Sequence, residues 1–329
     1  MCGAGVKRAI SAPRLFDGER WHEDSAVLLQ GGRIEAVLPL TQLPAGIPHQ
    51  ALPDATLAPG FIDIQVNGGG GVMLNNTPTA ETVNRMTAGH RGAGTTGLMP
   101  TLISDTPAVQ RAAVAAVSQA QAAGNAGVLG VHIEGPFFDR GRRGTHRAEM
   151  IRNMTEDDIA WLTGLDVLLV ILTLAPEHTH PGQIRRLTDA GLLVCAGHSV
   201  ASYELVQAAL AQGLRGFTHL FNAMSPLQGR APGVVGAALD SGAAWVGIIA
   251  DGHHVHPASI RIAARSLPAG KLLLVSDAMS TVGSAATACE IYDERIELRD
   301  GRLVNAEGAL AGSAIGMNEA VRISHQRVG

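Results

Sequence analysis

The residues of this chain that could do chemistry stand where apolar runs end. Glu134 closes the run 126–133 and is followed at once by Gly135-Pro136, a pair that stops a strand. An unpaired carboxylate at the edge of a core is costly, so a positive charge is expected beside it. A metal ion would compensate the carboxylate, and so would an arginine such as Arg140 or Arg142. This motif alone leaves both interpretations open.

Two histidines occupy comparable positions later in the chain, since His198 and His219 each end a predicted strand. One carboxylate and two imidazoles suit Zn²⁺ or Fe²⁺, and three protein ligands leave a coordination position open for water. A bound ion would lower the pKa of that water and polarise a carbonyl. For either histidine alone, a hydrogen bond to the backbone is at least as good an explanation.

Asp277, at the end of the eighth predicted strand, is the candidate for proton transfer. A carboxylate there would take a proton from activated water and return it to a leaving amine. An N-cap or a further metal ligand is the alternative. His132 lies two residues before Glu134 and points to the same side of the strand, so we expect a packing or supporting role for it.

Arg230 and His254 are candidates for binding an anion. Arg230 lies in the segment 229–233, where glycine and proline would hold the loop rigid. Its guanidinium suits bidentate binding of a phosphate. A solvated loop arginine is the alternative.

Eight apolar runs alternate with alanine-rich amphipathic segments from Leu57 onward, and together they must position these side chains. Continuous rather than alternating apolar runs are typical of parallel strands buried on both faces. The predicted strands are 61–66, 95–99, 127–133, 167–173, 192–196, 216–219, 245–250 and 271–276. The predicted helices are 79–92, 107–123, 155–163, 180–190, 202–212 and 257–267. The pattern predicts an α/β fold, a (β/α)₈ TIM-type barrel whose strands end at one rim.

The two ends of the chain carry further strand signals. Segments 26–29 and 33–38 flank Gly31-Gly32 and predict a hairpin. We expect a small β domain over 1–57 and the barrel over 58–329, with a β-hairpin inserted at about 286–309. A last helical segment is predicted to open at 310–313 and to run almost to Gly329.

The composition is typical of an α/β enzyme with many tight joins, because 46% of the 329 residues are hydrophobic and 40 are glycine. The formal charge of 25 − 29 = −4 argues against nucleic acid and anionic membranes as partners. Three cysteines without a C-x-x-C pair indicate a reducing compartment. The absence of a signal peptide and of a bilayer-length apolar run completes the prediction of a cytoplasmic protein.

Eight segments, spread in order along the chain, carry motifs that are specific in combination. They are Pro59-Gly60-Phe61-Ile62-Asp63-Ile64-Gln65-Val66-Asn67-Gly68, His132-Ile133-Glu134-Gly135-Pro136, Arg143-Gly144-Thr145-His146, Gly197-His198-Ser199, Thr218-His219-Leu220-Phe221-Asn222-Ala223-Met224, Asp251-Gly252-His253-His254-Val255, Ser276-Asp277-Ala278-Met279 and Leu310-Ala311-Gly312-Ser313. Together they resemble the N-acetylglucosamine-6-phosphate deacetylase family of the amidohydrolase superfamily, from about residue 5 to the end.

The resemblance implies a barrel with a small β-sandwich domain built from both chain ends. It implies that Glu134, His198 and His219 hold the catalytic metal. Asp277 would act as general base and then as acid, and His146 would help to polarise the acetamido carbonyl. The implied sugar and phosphate contacts are Thr145, His146, Asn222, Ala223, Arg230, His254, Leu310, Ala311 and Gly312. The family is commonly homodimeric, so a homodimer is expected.

Two departures from wider patterns matter. Many amidohydrolases carry His-x-His at the end of strand one, where a second metal binds, whereas this chain has Gln65 and Asn67. We therefore expect one divalent ion, Zn²⁺ first of all, with Fe²⁺ or another divalent ion as alternatives. The family also continues past the 310–313 segment into further strands, whereas this sequence stops at Gly329, so the small domain is expected to be shortened.

The expected function is metal-dependent hydrolysis of the N-acetyl group of N-acetylglucosamine 6-phosphate, which gives glucosamine 6-phosphate and acetate. One alternative is an amidohydrolase that acts on another N-acyl sugar or on a cyclic amide. The other is an amidohydrolase-like binding protein without catalysis, which the shortened C-terminus keeps open. Arg230 and His254 favour the phosphorylated sugar, and the full ligand set with Asp277 favours an enzyme.

Overall fold

The computed structural model describes residues 6–165 and 169–329, and within it the chain divides into two units between Gly60 and Phe61. Cys2 and the start of the strand predicted for 167–173 lie outside the described residues. None of the helices in the described part of the chain has the length and apolar character of a membrane span.

The first unit contains a five-stranded mixed sheet. Its strands are β1 (Arg8–Phe16), β2 (Trp21–Gln30), β3 (Arg33–Pro39), β4 (His49–Ala51) and β5 (Thr56–Leu57). β2 pairs antiparallel with both β1 and β3, while β4 and β5 pair parallel with β1. Gly31 and Gly32, with φ of 57° and 78°, form the tight turn between β2 and β3 that the sequence predicts.

The second unit contains the remaining strands and all the helices described below. Its strands are β6 (Phe61–Val66), β7 (Gly68–Gly69), β8 (Val72–Met73), β9 (Thr95–Ile103), β10 (Val131–Glu134), β11 (Val170–Leu174), β12 (Leu193–Ala196), β13 (Gly216–Phe217), β14 (Trp245–Ile249), β15 (Leu272–Val275), β16 (Ala288–Ile291), β17 (Glu294–Arg299) and β18 (Arg302–Val304). Its α-helices are α1 (Ala80–Arg91), α2 (Pro107–Ala122), α3 (Glu156–Thr163), α4 (Gln183–Asp189), α5 (Tyr203–Ala211), α6 (Gly233–Asp240), α7 (Pro257–Ser266) and α8 (Met317–Ile323).

The barrel is an eight-stranded parallel sheet in which β6 and β9 to β15 follow one another in chain order. The Asp277 amide donates to the Gln65 carbonyl at 3.0 Å, and the Asn67 amide donates to the Ala278 carbonyl at 2.9 Å. These bonds join the first barrel strand to the segment after the last one and nearly close the barrel. The predicted (β/α)₈ fold is therefore confirmed.

Several predicted element boundaries are wrong for identifiable reasons. β9 runs on to Ile103 rather than ending at 99, because Pro100 is accommodated within the strand. β10 begins only at Val131, after Gly127 and Gly130, since glycine weakens a strand. α6, which follows β13 and the 218–232 segment, is missing from the predicted helices.

The segment 310–316 is not helical, contrary to the prediction. The Ser313 amide donates to the Asp277 carbonyl at 2.9 Å, and the Met279 amide donates to the Ser313 carbonyl at 3.0 Å. These bonds hold the segment extended along the end of β15, so its backbone groups are paired without a helix. The helix α8 begins only at Met317, and a π-helical turn, Ser324–Val328, follows it.

Residues 288–304 form a three-stranded antiparallel sheet in the order β16-β17-β18. Asp300 and Gly301, with φ of 51° and 78°, turn β17 into β18, as their types predict. Tyr292 and Asp293, with φ of 56° and 65°, form the turn between β16 and β17. This sheet has its own apolar core, in which Ile291, Ile296 and Leu303 are buried.

Candidate metal centre and substrate cavity

Glu134, His198 and His219 meet at the carboxyl end of the barrel. Glu134 is the last residue of β10, His198 lies two residues after β12, and His219 lies two residues after β13. The Glu134 Oε1 lies 3.2 Å from His198 Nε2 and 3.0 Å from His219 Nε2, and the two Nε2 atoms lie 3.0 Å apart. All three side chains are buried, with exposed fractions of 6% or less. Three donor atoms that converge from separate strands form a candidate metal site.

The hydrogen bonds around His198 suit a metal ligand. Its Nδ1 lies 2.8 Å from the Arg142 carbonyl oxygen, which can only accept, so the neutral ring carries its proton on Nδ1. The Nε2 lone pair is then free to face a cation, as metal-bound histidines require. The Phe138 ring stacks on the His198 imidazole, with 4.2 Å between the ring centres, and helps to hold the orientation of the imidazole.

The charges at this centre also suit a bound cation. Burial alone would raise the pKa of Glu134, but the adjacent imidazoles of His198 and His219 outweigh burial and hold that pKa well below the usual range. Burial lowers the pKa of His198, whereas at His219 the hydrogen bond and charge of Glu134 outweigh burial and raise the pKa. An ionised carboxylate beside a neutral imidazole is the donor set that a divalent transition metal prefers. The residues present therefore fit the ion that the sequence predicts.

The backbone at this rim leaves the extended conformation abruptly. His198, His219 and Asp277 have φ of 51°, 35° and 52°, the left-handed region that non-glycine residues seldom adopt. Each residue follows the end of a barrel strand, so the change in backbone direction brings its side chain to the mouth of the barrel. This conformation explains why β13 ends at Phe217 rather than at the predicted 219.

Gln65 and Asn67 lie on the opposite side of the centre, at the end of β6, and their amides point at carboxylates. The Gln65 Nε2 donates to Glu134 Oε1 at 3.1 Å and to Asp277 Oδ1 at 3.3 Å. The Asn67 Nδ2 donates to the same Asp277 oxygen at 2.7 Å. Burial and the nearby Glu134 carboxylate raise the pKa of Asp277 to about 6. Asp277 is thus an oriented carboxylate that can exchange a proton near neutral pH.

His146 presents a defined face to the same cavity. Its Nδ1 accepts a hydrogen bond from the Ser104 backbone amide at 3.1 Å and lies 2.7 Å from Ser104 Oγ. Because a backbone amide can only donate, the proton of the neutral imidazole is on Nε2. Burial, with the neighbouring His198, lowers the pKa of His146 well below its usual value. His146 is therefore a neutral donor at Nε2.

A cavity of about 190 Å³ joins these residues to most of the predicted sugar and phosphate contacts. Its lining includes Glu134, His198, His219, Asp277, Asn67, His146, Thr145, Asn222, Ala223, His254, Leu310 and Gly312. Among the described residues, the lining does not include Ala311, which is buried in the core under the β16–β18 sheet. Arg230 lies outside the lining too, exposed at the tip of a turn that the backbone pair Gln228 and Ala231 closes.

The sequence-based search missed two residues that support this cavity. Asp251 accepts the His254 Nδ1–H at 2.6 Å and the amides of His253 and His254 at 2.8 Å each. Its position at the end of the seventh barrel strand was the available signal. Ser104 follows Ile103, the end of β9, whereas the predicted second strand ends at 99, so the sequence pattern does not mark Ser104 as a strand-end residue.

His132 has the supporting role that its position in β10 predicts. Its Nδ1 lies 2.9 Å from the Ile64 carbonyl oxygen, so Nδ1 donates and Nε2 accepts. The Thr173 hydroxyl lies 2.7 Å from that Nε2, and the Thr218 hydroxyl lies 2.7 Å from Thr173. This chain of hydrogen bonds crosses the barrel interior beneath the metal ligands and ties three strands together.

Comparisons with known proteins agree with this geometry. The profile of the Amidohydrolase family matches residues 56–310. The N-acetylgalactosamine-6-phosphate deacetylase of Shewanella sp. (strain ANA-3) is 44% identical over 277 residues, which cover 84% of this chain and 70% of the relative. The N-acetylglucosamine-6-phosphate deacetylase of Haemophilus influenzae is 35% identical over 302 residues, 91% of this chain and 79% of the relative. The crystal structure of N-acetylglucosamine-6-phosphate deacetylase from Pasteurella multocida has a TM-score of 0.93 at 33% identity and covers 98% of this chain and 85% of that chain.

Proposed function

Since this chain belongs to the amidohydrolase family, we propose that it hydrolyses the N-acetyl group of N-acetylglucosamine 6-phosphate to give glucosamine 6-phosphate and acetate. The observation that carries the proposal is the convergence of Glu134, His198 and His219 with Asp277 and His146 around one cavity. A carboxylate–imidazole metal set, a carboxylate that titrates near neutrality and a neutral N–H donor are the parts that amide hydrolysis requires.

Glu134, His198 and His219 would hold one divalent ion, with Zn²⁺ as the expected metal. A divalent ion in such a ligand set supplies Lewis acidity, which activates water and polarises a carbonyl. Two of these residues are tied to other groups: Gln65 bonds to Glu134, and the Arg142 carbonyl orients His198. The ligands are thus held in place by contacts that do not depend on the ion.

Asp277 would accept a proton from the attacking water and return it to the leaving amine. The Asn67 and Gln65 amides both bond to its Oδ1. His146 would donate its Nε2–H to the acetamido oxygen, where negative charge develops as the carbonyl is attacked. Because Ser104 occupies the Nδ1 of the neutral ring, the one donor of His146 is its Nε2–H, and His146 lines the cavity.

The remaining cavity residues would bind the sugar phosphate. His254 lies in the cavity with its Nδ1–H bonded to Asp251, and in its protonated form the ring would donate the remaining Nε2–H to a phosphate oxygen. Thr145, Asn222 and Ala223, with the 310–312 segment, would contact the sugar. Arg230 would be a further phosphate ligand.

The protein would act as a homodimer in the cytoplasm. Residues 1–57 would form an accessory domain to the catalytic barrel of 58–329.

A second candidate substrate is the galactosamine epimer, N-acetylgalactosamine 6-phosphate. The relative with 44% identity to this chain carries that activity in its name. The two sugars differ at one hydroxyl, and both place an acetamido group and a phosphate at the same separation, so the same metal centre would serve either one.

Acetate release by the purified, metal-loaded chain tests the proposal. The substrates are the two N-acetylhexosamine 6-phosphates and, as a control, N-acetylglucosamine without phosphate. We expect turnover of a phosphorylated sugar, the loss of that turnover in Glu134→Gln, and a much lower rate on the free sugar. Tight binding without acetate release would instead support the non-catalytic binding protein. Equal rates with and without phosphate would contradict the assignment of a phosphate site.

A further inference from the structure

The turn between β16 and β17 carries a residue type that its backbone disfavours. Tyr292 and Asp293 both have positive φ, 56° and 65°, and two-residue turns of this kind prefer asparagine, aspartate or glycine. A bulky tyrosine at positive φ is an outlier and is strained. The Asp300-Gly301 turn of the same sheet has the favoured residue types. A strained tyrosine in a turn that could hold glycine points to a use for its side chain.

The side chain of Tyr292 reaches the rim of the barrel. Its hydroxyl donates to the carbonyl oxygen of Ser104, the residue that follows β9. Its ring packs against the apolar cluster that includes Ile103 and Met279, both of which line the substrate cavity. The Arg147 guanidinium lies 5.2 Å from the ring centre and donates to the Tyr292 carbonyl oxygen. The turn is thus held both at Ser104 and at the residue after His146.

Ser104 is the residue that orients His146. Its amide and its hydroxyl both meet His146 Nδ1, at 3.1 Å and 2.7 Å. A shift of the Ser104 backbone would therefore rotate the imidazole and move its Nε2–H. The Ser104 carbonyl, on the same residue, is the group that Tyr292 holds.

We propose that Tyr292 is a positioning residue, which holds Ser104 from the tip of the β16–β17 hairpin and so aims the Nε2–H of His146 at the reacting carbonyl. The proposal rests on the role of His146 in the proposed function. The β16–β18 sheet would then contribute to catalysis, although no described residue of this sheet lines the cavity. A hydrogen-bond donor that is displaced by a fraction of an ångström stabilises the charge of the transition state much less, whereas substrate binding in the ground state changes little.

The central experiment is Tyr292→Phe, alone and together with His146→Ala. Complete removal of an oxyanion donor costs about 10²–10³ in kcat, so its displacement should cost less, about tenfold, with KM changed by less than about twofold. Because Tyr292 acts through His146, Tyr292→Phe should change kcat by less than about twofold in the His146→Ala background. Tyr203→Phe is the matched control, since Tyr203 is the other of the two tyrosines and its hydroxyl donates to Asp240 on the barrel exterior.

If Tyr292→Phe lowers kcat as much in the His146→Ala background as it does in the wild type, the proposal is overturned. The same holds if Tyr203→Phe lowers kcat as much as Tyr292→Phe does. A second measurement is independent of turnover. The ¹⁵N resonances of the His146 ring, assigned by their absence in His146→Ala, should show an acceptor Nδ1 in the wild type and an altered Nδ1 shift in Tyr292→Phe. An unchanged Nδ1 shift would contradict the positioning role even in a chain that releases no acetate. Failure to release acetate with an altered shift would count against the proposed function alone.

Discussion

At the residue scale, the rim of this barrel combines strained backbone conformations with buried ionisable side chains. His198, His219 and Asp277 adopt the left-handed region, which costs of the order of 1–3 kcal/mol for each non-glycine residue. Barrel strands on both sides and hydrogen bonds such as that of Asp277 N to Gln65 O hold these conformations. Such strain persists where the surrounding structure over-determines it, which is a feature of functional sites.

Asp277→Asn should keep the fold and the metal but lose about 10²–10⁴ in kcat, because the amide cannot carry a proton. The pKa of Asp277 is raised to about 6, so its ionised form is destabilised in the folded protein and the neutral amide should not lower the melting temperature. Turnover, metal content and thermal unfolding of the variant are the measurements. Near-normal turnover would remove Asp277 from the mechanism.

One tightly held metal ion per chain is expected. Gln65 and Asn67 offer neutral amides whose nitrogens point at carboxylates, and amides are poor ligands for a transition metal. Glu134 is the one carboxylate of the converging ligand set and could not alone balance two dications a few Å apart, while the Asp277 Oδ1 is already bonded by both amides. Elemental analysis after dialysis should give one equivalent, and His219→Ala, which loses a ligand, should retain much less. Two equivalents that survive dialysis would contradict the expectation of a single ion.

At the element scale, several of the helices around the barrel begin with side-chain caps that their sequences predict. Thr79, Thr106, Thr155 and Ser202 each accept a backbone N–H in the first turn of the helix that follows. At α3 the cap is reciprocal, because Asp158 also accepts the Thr155 amide at 2.8 Å. These local signals explain why the predicted and observed starts of α1, α2, α3 and α5 agree to within one residue.

Asp158→Asn should destabilise the protein by about 1–3 kcal/mol at neutral pH, since it removes charged hydrogen bonds from a partly buried site. Arg152 donates to both Asp158 oxygens, at 2.5 Å and 2.7 Å. Although burial opposes ionisation, these bonds and those from Thr155 lower the pKa of Asp158. A lowered folded-state pKa means that the contribution is complete above the unfolded pKa of about 3.9 and fades as pH falls through the folded value.

Denaturant unfolding between pH 7 and pH 3 should therefore show a difference between wild type and Asp158→Asn that is constant above about pH 5 and shrinks below about pH 4. Glu156→Gln is the matched control on the same helix, because the Glu156–Arg186 pair is exposed and should contribute little. A difference that grows in acid would contradict the assigned sign of the pKa shift.

At the scale of the whole molecule, the position of Arg230 relative to the cavity decides how this residue could bind a phosphate. Arg230 is exposed and the cavity lining does not include it among the described residues, while His254, the other predicted phosphate contact, does line the cavity. Binding of a phosphate by Arg230 would thus require its side chain or the 228–231 turn to move, or a second copy of the chain to contribute it. The proposed homodimer allows the second route.

Arg230→Ala should raise KM for the phosphorylated sugar by about 10- to 100-fold, the value of one or two charge-assisted hydrogen bonds, and leave the rate on the free sugar unchanged. Arg265→Ala, at an exposed position on α7, is the control and should leave both rates unchanged. Light scattering of the wild type and the variant shows whether the assembly is preserved. An equal loss on both substrates would mean that Arg230 has a structural role.

The sequence by itself determined the repeating order of the barrel and the grouping of three candidate metal ligands. Parallel strands that are buried on both faces must be continuous apolar runs, and their polar last residues must share one rim, so Glu134, His198 and His219 could be grouped without coordinates. Helix starts were accessible for the same reason, because caps depend on residues three or four apart.

Only the tertiary structure decided what surrounds those residues. Ser104 on His146, Asp251 on His254 and Tyr292 on Ser104 bring together side chains and backbone from different loops, and their contacts depend on where each loop lands. The extended 310–316 segment was mistaken for a helix because its pairing with the end of β15 involves residues more than thirty positions away. The position of His146 in the cavity lining depends on the same long-range packing, which no local pattern in the sequence records.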